Sequence, residues 1–202
     1  MGYLELIIGP MFSGKTSKLI NMYNEEVKCN INHKTEVIAI NYDKDTRYGA
    51  NKIASHNAME IGCLSINELS ELSENLSYKS LIESAKSIYI NEAQFFKNLK
   101  KWVVDQVEIF DKNIILCGLD SDFKREKFGE LLDLVPHANV ITKLSGTCSK
   151  CYGQSIYTFR VSNEISQEVI GTDNYIPVCR NCYNKGDKPN SSLFDDAILC
   201  RH

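Results

Sequence analysis

Tyr3-Leu4-Glu5-Leu6-Ile7-Ile8 runs directly into Gly9-Pro10-Met11-Phe12-Ser13-Gly14-Lys15-Thr16. The first six residues read as a strand rich in Leu and Ile. The next eight match G-x-x-x-x-G-K-[ST] in full, the pattern of a loop that cradles phosphate. Glycines let backbone N–H groups turn inward around phosphate oxygens. The helix that follows adds partial positive charge at its N-terminus. Lys15 supplies a point charge for the β- and γ-phosphates, and Thr16 offers a hydroxyl to Mg²⁺. From Lys15 to about Val27 the chain reads as a helix with Leu19, Ile20, Tyr23 and Val27 on one face.

Outward from this loop the same alternation continues. Glu36–Asn41, Ser87–Asn91, Asn113–Gly118 and Asn139–Lys143 read as further strands. A helix is expected over Leu99–Phe110, with Trp102, Val103, Val107 and Phe110 apolar on one side. Near-continuous apolar strands alternating with helices predict an α/β domain with a parallel sheet covered on both faces. The strand Ser87–Asn91 ends beside Glu92, the one carboxylate at that tip and a candidate general base for an acceptor hydroxyl or a water. An Asp, expected before it as a metal ligand, is replaced by Asn91.

The pattern changes near Leu144. Beyond it come short β-like runs, no helical period, and two pairs, Cys148-x-x-Cys151 and Cys179-x-x-Cys182. Four thiolates at this spacing predict a closed, structural zinc site. Neither pair reads as opening a helix after a strand, which argues against a redox role. Of the eight cysteines, Cys29, Cys63, Cys117 and Cys200 read as small core, surface or tail residues. Three parts are expected: a nucleotide-binding domain over 1–143, a zinc-binding segment over 144–185, and a tail over 186–202.

The chain has 202 residues, a net charge of −3, 43% hydrophobic and 24% charged residues. This composition suits a globular protein. The acidic balance argues against a general binder of nucleic acid. Apolar runs are too short to span a membrane and no signal peptide is evident, so the expected location is cytoplasmic. Lys97, Lys100 and Lys101 read as a solvated helix face. His33, His137 and His202 carry no partner pattern, and His56 is a candidate for the ligand site. One alternative remains on these residues: a P-loop ATPase whose zinc ribbon binds nucleic acid. A kinase for another nucleoside and a non-catalytic remnant are further ones.

Taken together these motifs resemble the type II thymidine kinases, the cellular and large-DNA-virus family. The likeness runs from about Leu4 to Tyr183. It includes the Pro10-Met11-Phe12 loop interior, Lys44-Asp45-Thr46-Arg47-Tyr48, Glu92-Ala93-Gln94-Phe95-Phe96, Gly118-Leu119-Asp120, Leu134-Val135-Pro136, both cysteine pairs and Val169-Ile170-Gly171. The resemblance implies a RecA-like domain, a zinc-bearing lasso domain and a homotetramer. It implies a transferase moving the γ-phosphate of ATP, with Mg²⁺, onto the 5′-hydroxyl of deoxythymidine. The product would be dTMP for DNA synthesis, with dTTP a candidate feedback inhibitor. Glu92 matches the catalytic base. Asp45 and Arg47 match residues near the phosphates and metal. Phe123 matches a residue that packs on thymine. Thr158, Leu119, Phe128 and Phe95 match the pocket lining. Gln167, Glu168, Val169, Ile170 and Gly171 match the lasso stretch that hydrogen-bonds the base, and Tyr175 matches a tyrosine holding the nucleoside. The chain departs from the family at Asn91, where Asp is usual, and at Thr172, where another glycine is usual.

Overall fold

Strand residues that alternate in facing build one sheet with two cores. The structure, a computed structural model, describes residues 1–30, 36–43, 51–55, 58–162 and 174–186. In chain order its elements are β1 (Tyr3–Gly9), α1 (Lys15–Asn30), β2 (Glu36–Tyr42), β3 (Lys52–Ala54), β4 (Glu60–Gly62), β5 (Leu64–Ile66), α2 (Glu71–Glu74), α3 (Leu76–Ser84) and β6 (Ala85–Ile90). Then follow α4 (Leu99–Glu108), β7 (Asn113–Leu119), β8 (Val140–Lys143), β9 (Gly146–Thr147), β10 (Gln154–Ser155), β11 (Tyr157–Arg160), β12 (Tyr175–Val178) and α5 (Arg180–Lys185). Short 3-10 segments cover Ala93–Phe95 and Leu131–His137.

Six strands form the main sheet in the order β5-β2-β6-β7-β1-β8, every pairing parallel. The phosphate-loop strand β1 therefore lies between β7 and β8, and β7 separates it from β6. On one face, Leu4, Leu6 and Ile8 of β1, Ile88 and Ile90 of β6, and Ile114 and Leu116 of β7 pack with Leu99 and Val103 of α4. On the other, Ile7, Ala39, Tyr89, Ile115 and Cys117 pack with Leu19 and Ile20 of α1 and with Ile53 and Ile61 of the β3–β4 hairpin. A period of two along each strand, with apolar residues on both sides, makes both faces buried. At about 1.5–3 kcal/mol for each fully buried Leu or Ile, these two layers dominate the stability of the domain. The expected α/β architecture and parallel sheet are observed.

Some expectations needed correction. Val27 lies near the end of α1 and is 37% exposed, and Phe110 lies beyond α4 and is 58% exposed, so neither belongs to the core face. Residues 52–84 hold β3, β4, β5, α2 and α3, none of which shows a clear period in the sequence. Asn75 starts α3 by accepting bonds from the N–H groups of Ser77 and Tyr78, an N-cap that the sequence does carry.

Beyond β8 the described residues form two two-stranded pairs, β9 with β10 and β11 with β12, followed by the short helix α5. Cys148, Ile176, Val178 and Cys182 make a small third core, joined by Tyr157, Phe159 and Tyr183. So small a core rarely supports a fold without a metal or other cross-link.

Candidate active site at the carboxyl end of the sheet

β1 delivers the phosphate loop. A Cβ on Gly9 would meet the Leu144 carbonyl oxygen at 2.4 Å, and Gly14 sits at φ +81°, so side chains are unfavourable at both positions. Lys15 Nζ donates to the Pro10 carbonyl at 2.6 Å and lies 3.5 Å from Ser13 Oγ, so its ammonium folds over its own loop. Ser13 Oγ also donates to the Pro10 carbonyl. The Met11 N–H points elsewhere: it donates to Thr158 Oγ1 of β11 at 3.0 Å. A Cβ on Gly146 would lie 2.9 Å from the Phe12 carbonyl, so β9 also lies against the loop. Thr158, expected in the base pocket, is thus bonded to the phosphate loop.

The tips of β2, β6 and β7 carry the next layer. Asn91 is 2% exposed. Its Oδ1 accepts from Thr16 Oγ1 at 3.3 Å and from the Cys117 thiol at 2.9 Å, while its Nδ2 donates to Asn41 Oδ1 at 2.9 Å. Burial, then the nearby Glu92 carboxylate, push the Cys117 thiol up to about 12, so it remains a donor at neutral pH. Thr16 and Asn91 present oxygen donors of the type Mg²⁺ takes, without formal charge.

Glu92 has φ 52° and ψ 39°, a left-handed conformation costly for a non-glycine residue. Its Oε2 accepts from Gln94 Nε2 at 2.6 Å. Gln94 is almost fully buried, and its Oε1 accepts from the Leu119 N–H at 3.0 Å. Gln94 therefore ties the candidate base to the tip of β7. The sequence places Gln94 within the Glu92–Phe96 match without indicating this role. The same is true of Asn41, which ends a legible strand.

Aromatic side chains surround this end. The Phe95 ring stacks on Tyr42 with centroids 4.9 Å apart and meets Phe128 edge-on at 5.2 Å. The Arg160 guanidinium lies 3.7 Å from the centroid of Phe123 and 4.9 Å from that of Tyr175, to whose hydroxyl it donates. Leu119 is the register partner of Gly9, which places it beside the start of the phosphate loop. Asp120, next in the chain, pairs with Lys143 at 2.8 Å. Asp45, Arg47, His56 and the stretch 167–171 lie outside the described residues, as do His33, Thr172, Cys200 and His202.

In the small module the Sγ atoms of Cys148, Cys151, Cys179 and Cys182 all lie within 4.8 Å of one another. Cys151 and Cys179 sulfurs are 3.6 Å apart. Zn–S bonds of about 2.3 Å in a tetrahedron require separations of about 3.8 Å, so this donor set fits zinc. The Cys182 N–H aimed at its sulfur holds the Cys179 thiol down to about 7, toward the thiolate a metal needs. One expectation fails here. Cys179 does open a helix after a strand, since it caps α5 directly behind β12. A six-residue helix is too short to show a period. The gathering of all four sulfurs, not the absence of a helix, is what sets a redox pair aside.

A parallel α/β sheet carrying a phosphate loop on β1, with a carboxylate two strands away, defines a P-loop nucleotide-binding protein. Comparison with known proteins narrows this. A family model described as "Thymidine kinase" matches residues 2–183. A thymidine kinase of Oryza sativa subsp. japonica is 36% identical over 92% of this chain and 67% of that protein. "Thymidine kinase a" of Arabidopsis thaliana is 33% identical over 90% of this chain and 75% of its own length. The thymidine kinase of Rabbit fibroma virus (strain Kasza) is 34% identical over 90% and 96% respectively. The chain belongs to the thymidine kinase family.

Proposed function

We propose that this chain transfers the γ-phosphate of ATP to the 5′-hydroxyl of deoxythymidine, giving dTMP, with Glu92 as the base. The observation that carries this reading is the Gln94-held Glu92 carboxylate, one residue after the asparagine that bonds the phosphate-loop Thr16. Phosphoryl transfer asks mainly for positioning and charge compensation. Residues 9–16 supply the first with backbone N–H groups, and Lys15 swings from the Pro10 carbonyl to the phosphates for the second. Arg47 and Asp45 are assigned to the same end. Glu92 accepts the 5′-hydroxyl proton. Phe123, Phe95, Leu119 and Phe128 enclose the base, with Thr158, Tyr175 and residues 167–171 around it. Thr16 would hold Mg²⁺, which offsets phosphate charge. Cys148, Cys151, Cys179 and Cys182 would hold zinc, which supplies folding energy to residues 144–185.

The family match and the acidic balance both weigh against an ATPase that binds nucleic acid. Among the described residues no helix is long and apolar enough to cross a membrane. A cytoplasmic location, a homotetramer and inhibition by dTTP belong to the same reading and are open to fractionation, light scattering and inhibition assays.

The test is a labelled-ATP assay on thymidine, deoxyuridine, deoxycytidine and deoxyguanosine, with and without Mg²⁺, on the wild type and Glu92→Gln. Gln at 92 can still accept from Gln94, so the fold is kept and only the base is removed. Thymidine should be the preferred acceptor, and kcat should fall roughly 10²-fold in the variant. Full turnover by Glu92→Gln would exclude the carboxylate as base.

A further inference from the structure

Residues 122–126 form a closed turn in front of β7. The Asp122 N–H donates to the Glu126 carbonyl and the Arg125 N–H to the Asp122 carbonyl. Asp122 Oδ1 accepts from the N–H groups of Lys124 and Glu126, at 2.8 and 2.9 Å. The turn thus has its own internal bonds, with Phe123 on it. These bonds lie within the turn, and so short a segment closed only on itself opens readily unless it is also held from outside.

Placement comes from the cysteine module. Tyr183, on α5 beside Cys182, donates its hydroxyl to the Phe123 carbonyl at 2.7 Å. Its ring meets Tyr157 and Phe159 edge-on, at 5.3 and 5.8 Å between centroids. Arg125, at φ 69°, reaches back over the Tyr183 ring at 4.4 Å and the Tyr157 ring at 5.6 Å. From β11, Arg160 covers the Phe123 ring itself. Tyr183 is in turn fixed by its N–H bond to the Cys179 carbonyl, at 2.9 Å. A continuous set of contacts therefore runs from the cysteine cluster through α5 to the backbone of residue 123.

We propose that Tyr183 is a positioning residue for the nucleoside: its hydroxyl clamps the 122–126 turn so that Phe123 stands against the base. This rests on the reading of Phe123 as a nucleoside contact. The clamp links the metal module to recognition of the acceptor without Tyr183 touching the reacting atoms. A half-buried aromatic anchor with one directed hydrogen bond suits this role, because removing the hydroxyl alone leaves the ring packing and the cation–π contacts in place.

The test compares zinc-loaded wild type, Tyr183→Phe and Phe123→Ala. Hydrogen exchange at the Lys124 and Glu126 amides is measured together with zinc content and the KM values of both substrates. For Tyr183→Phe we expect unchanged zinc content and exchange at those amides about tenfold faster. KM for thymidine should rise about five- to tenfold, with KM for ATP within twofold of wild type. Unchanged exchange, or an unchanged thymidine KM, overturns the clamp when Phe123→Ala itself raises that KM. If Phe123→Ala leaves the thymidine KM unaltered, the reading of Phe123 as a base contact fails, and wild-type exchange in Tyr183→Phe would then also remove the clamp. Loss of zinc from Tyr183→Phe would show a structural role and overturn the proposal as well.

Discussion

Asn91 has one amide and three partners. Its oxygen accepts from Thr16 and Cys117, and its nitrogen donates to Asn41. A carboxylate here would keep the first two bonds but set a second oxygen 2.9 Å from Asn41 Oδ1, unless Asn41 turned its own amide. Each hydrogen bond contributes about 1 kcal/mol, whereas burying an uncompensated carboxylate costs several kcal/mol. Without metal the neutral amide wins. With a divalent cation beside Thr16 the balance reverses, because the charge is then compensated. Asn91→Asp should therefore lower the melting temperature of the metal-free protein by a few degrees and reduce the half-saturating Mg²⁺ concentration about tenfold. Calorimetry and a magnesium titration of kinase activity measure the two effects. Equal half-saturation in both forms would refute the second.

At the scale of elements, the tip of β7 does more than extend the sheet. Gly118 leaves room for Gln94: a Cβ there would meet Gln94 Oε1 at 2.4 Å and Leu131 Cδ2 at 2.7 Å. Neither neighbour can yield freely, since Leu131 is fully buried and Gln94 is bonded at both ends. Gly118→Ala should push Gln94 off the strand tip and release Glu92. A displacement near 1 Å at a catalytic group costs on the order of 10²-fold, so kcat should drop 10- to 100-fold while KM for ATP stays near wild type. A Gly118→Ala enzyme with normal kcat would show that Gln94 does not matter for the base. Elements like β1, β2, β6 and β7 are legible because each is a six- or seven-residue apolar run bounded by loop residues. β3, β4 and β5 are three residues each and α5 is six, too short for any period to register. The loop, Glu92 and the four cysteines are legible as motifs. Gln94, Asn41 and Tyr183 act through partners fixed only by the fold, as when Tyr183 reaches Phe123 across sixty positions of chain.

Across the whole molecule the cysteine module touches the sheet domain at two places that matter, and both depend on how it is folded. Thr158 takes the Met11 N–H of the phosphate loop, and Tyr183 takes the Phe123 carbonyl. The module's own core is four buried residues, two of them cysteines. Two buried aliphatic side chains, Ile176 and Val178, are too small a core to hold residues 144–162 and 174–185 in one fold without a cross-link. Structural zinc supplies folding free energy directly in small modules of this kind. Removing it with a chelator should therefore unfold the module while the six-stranded sheet, with its two separate cores, survives. Hydrogen exchange should rise over 145–162 and 174–185 and remain protected in β1, β6 and β7. Because both contacts are lost together, KM should rise at least tenfold for ATP as well as for thymidine, unlike the thymidine-only effect expected of Tyr183→Phe. Acidification should mimic the chelator, since protonated thiols release metal. A chelated protein that kept its protection over β11, β12 and α5 would show that the module holds together without metal.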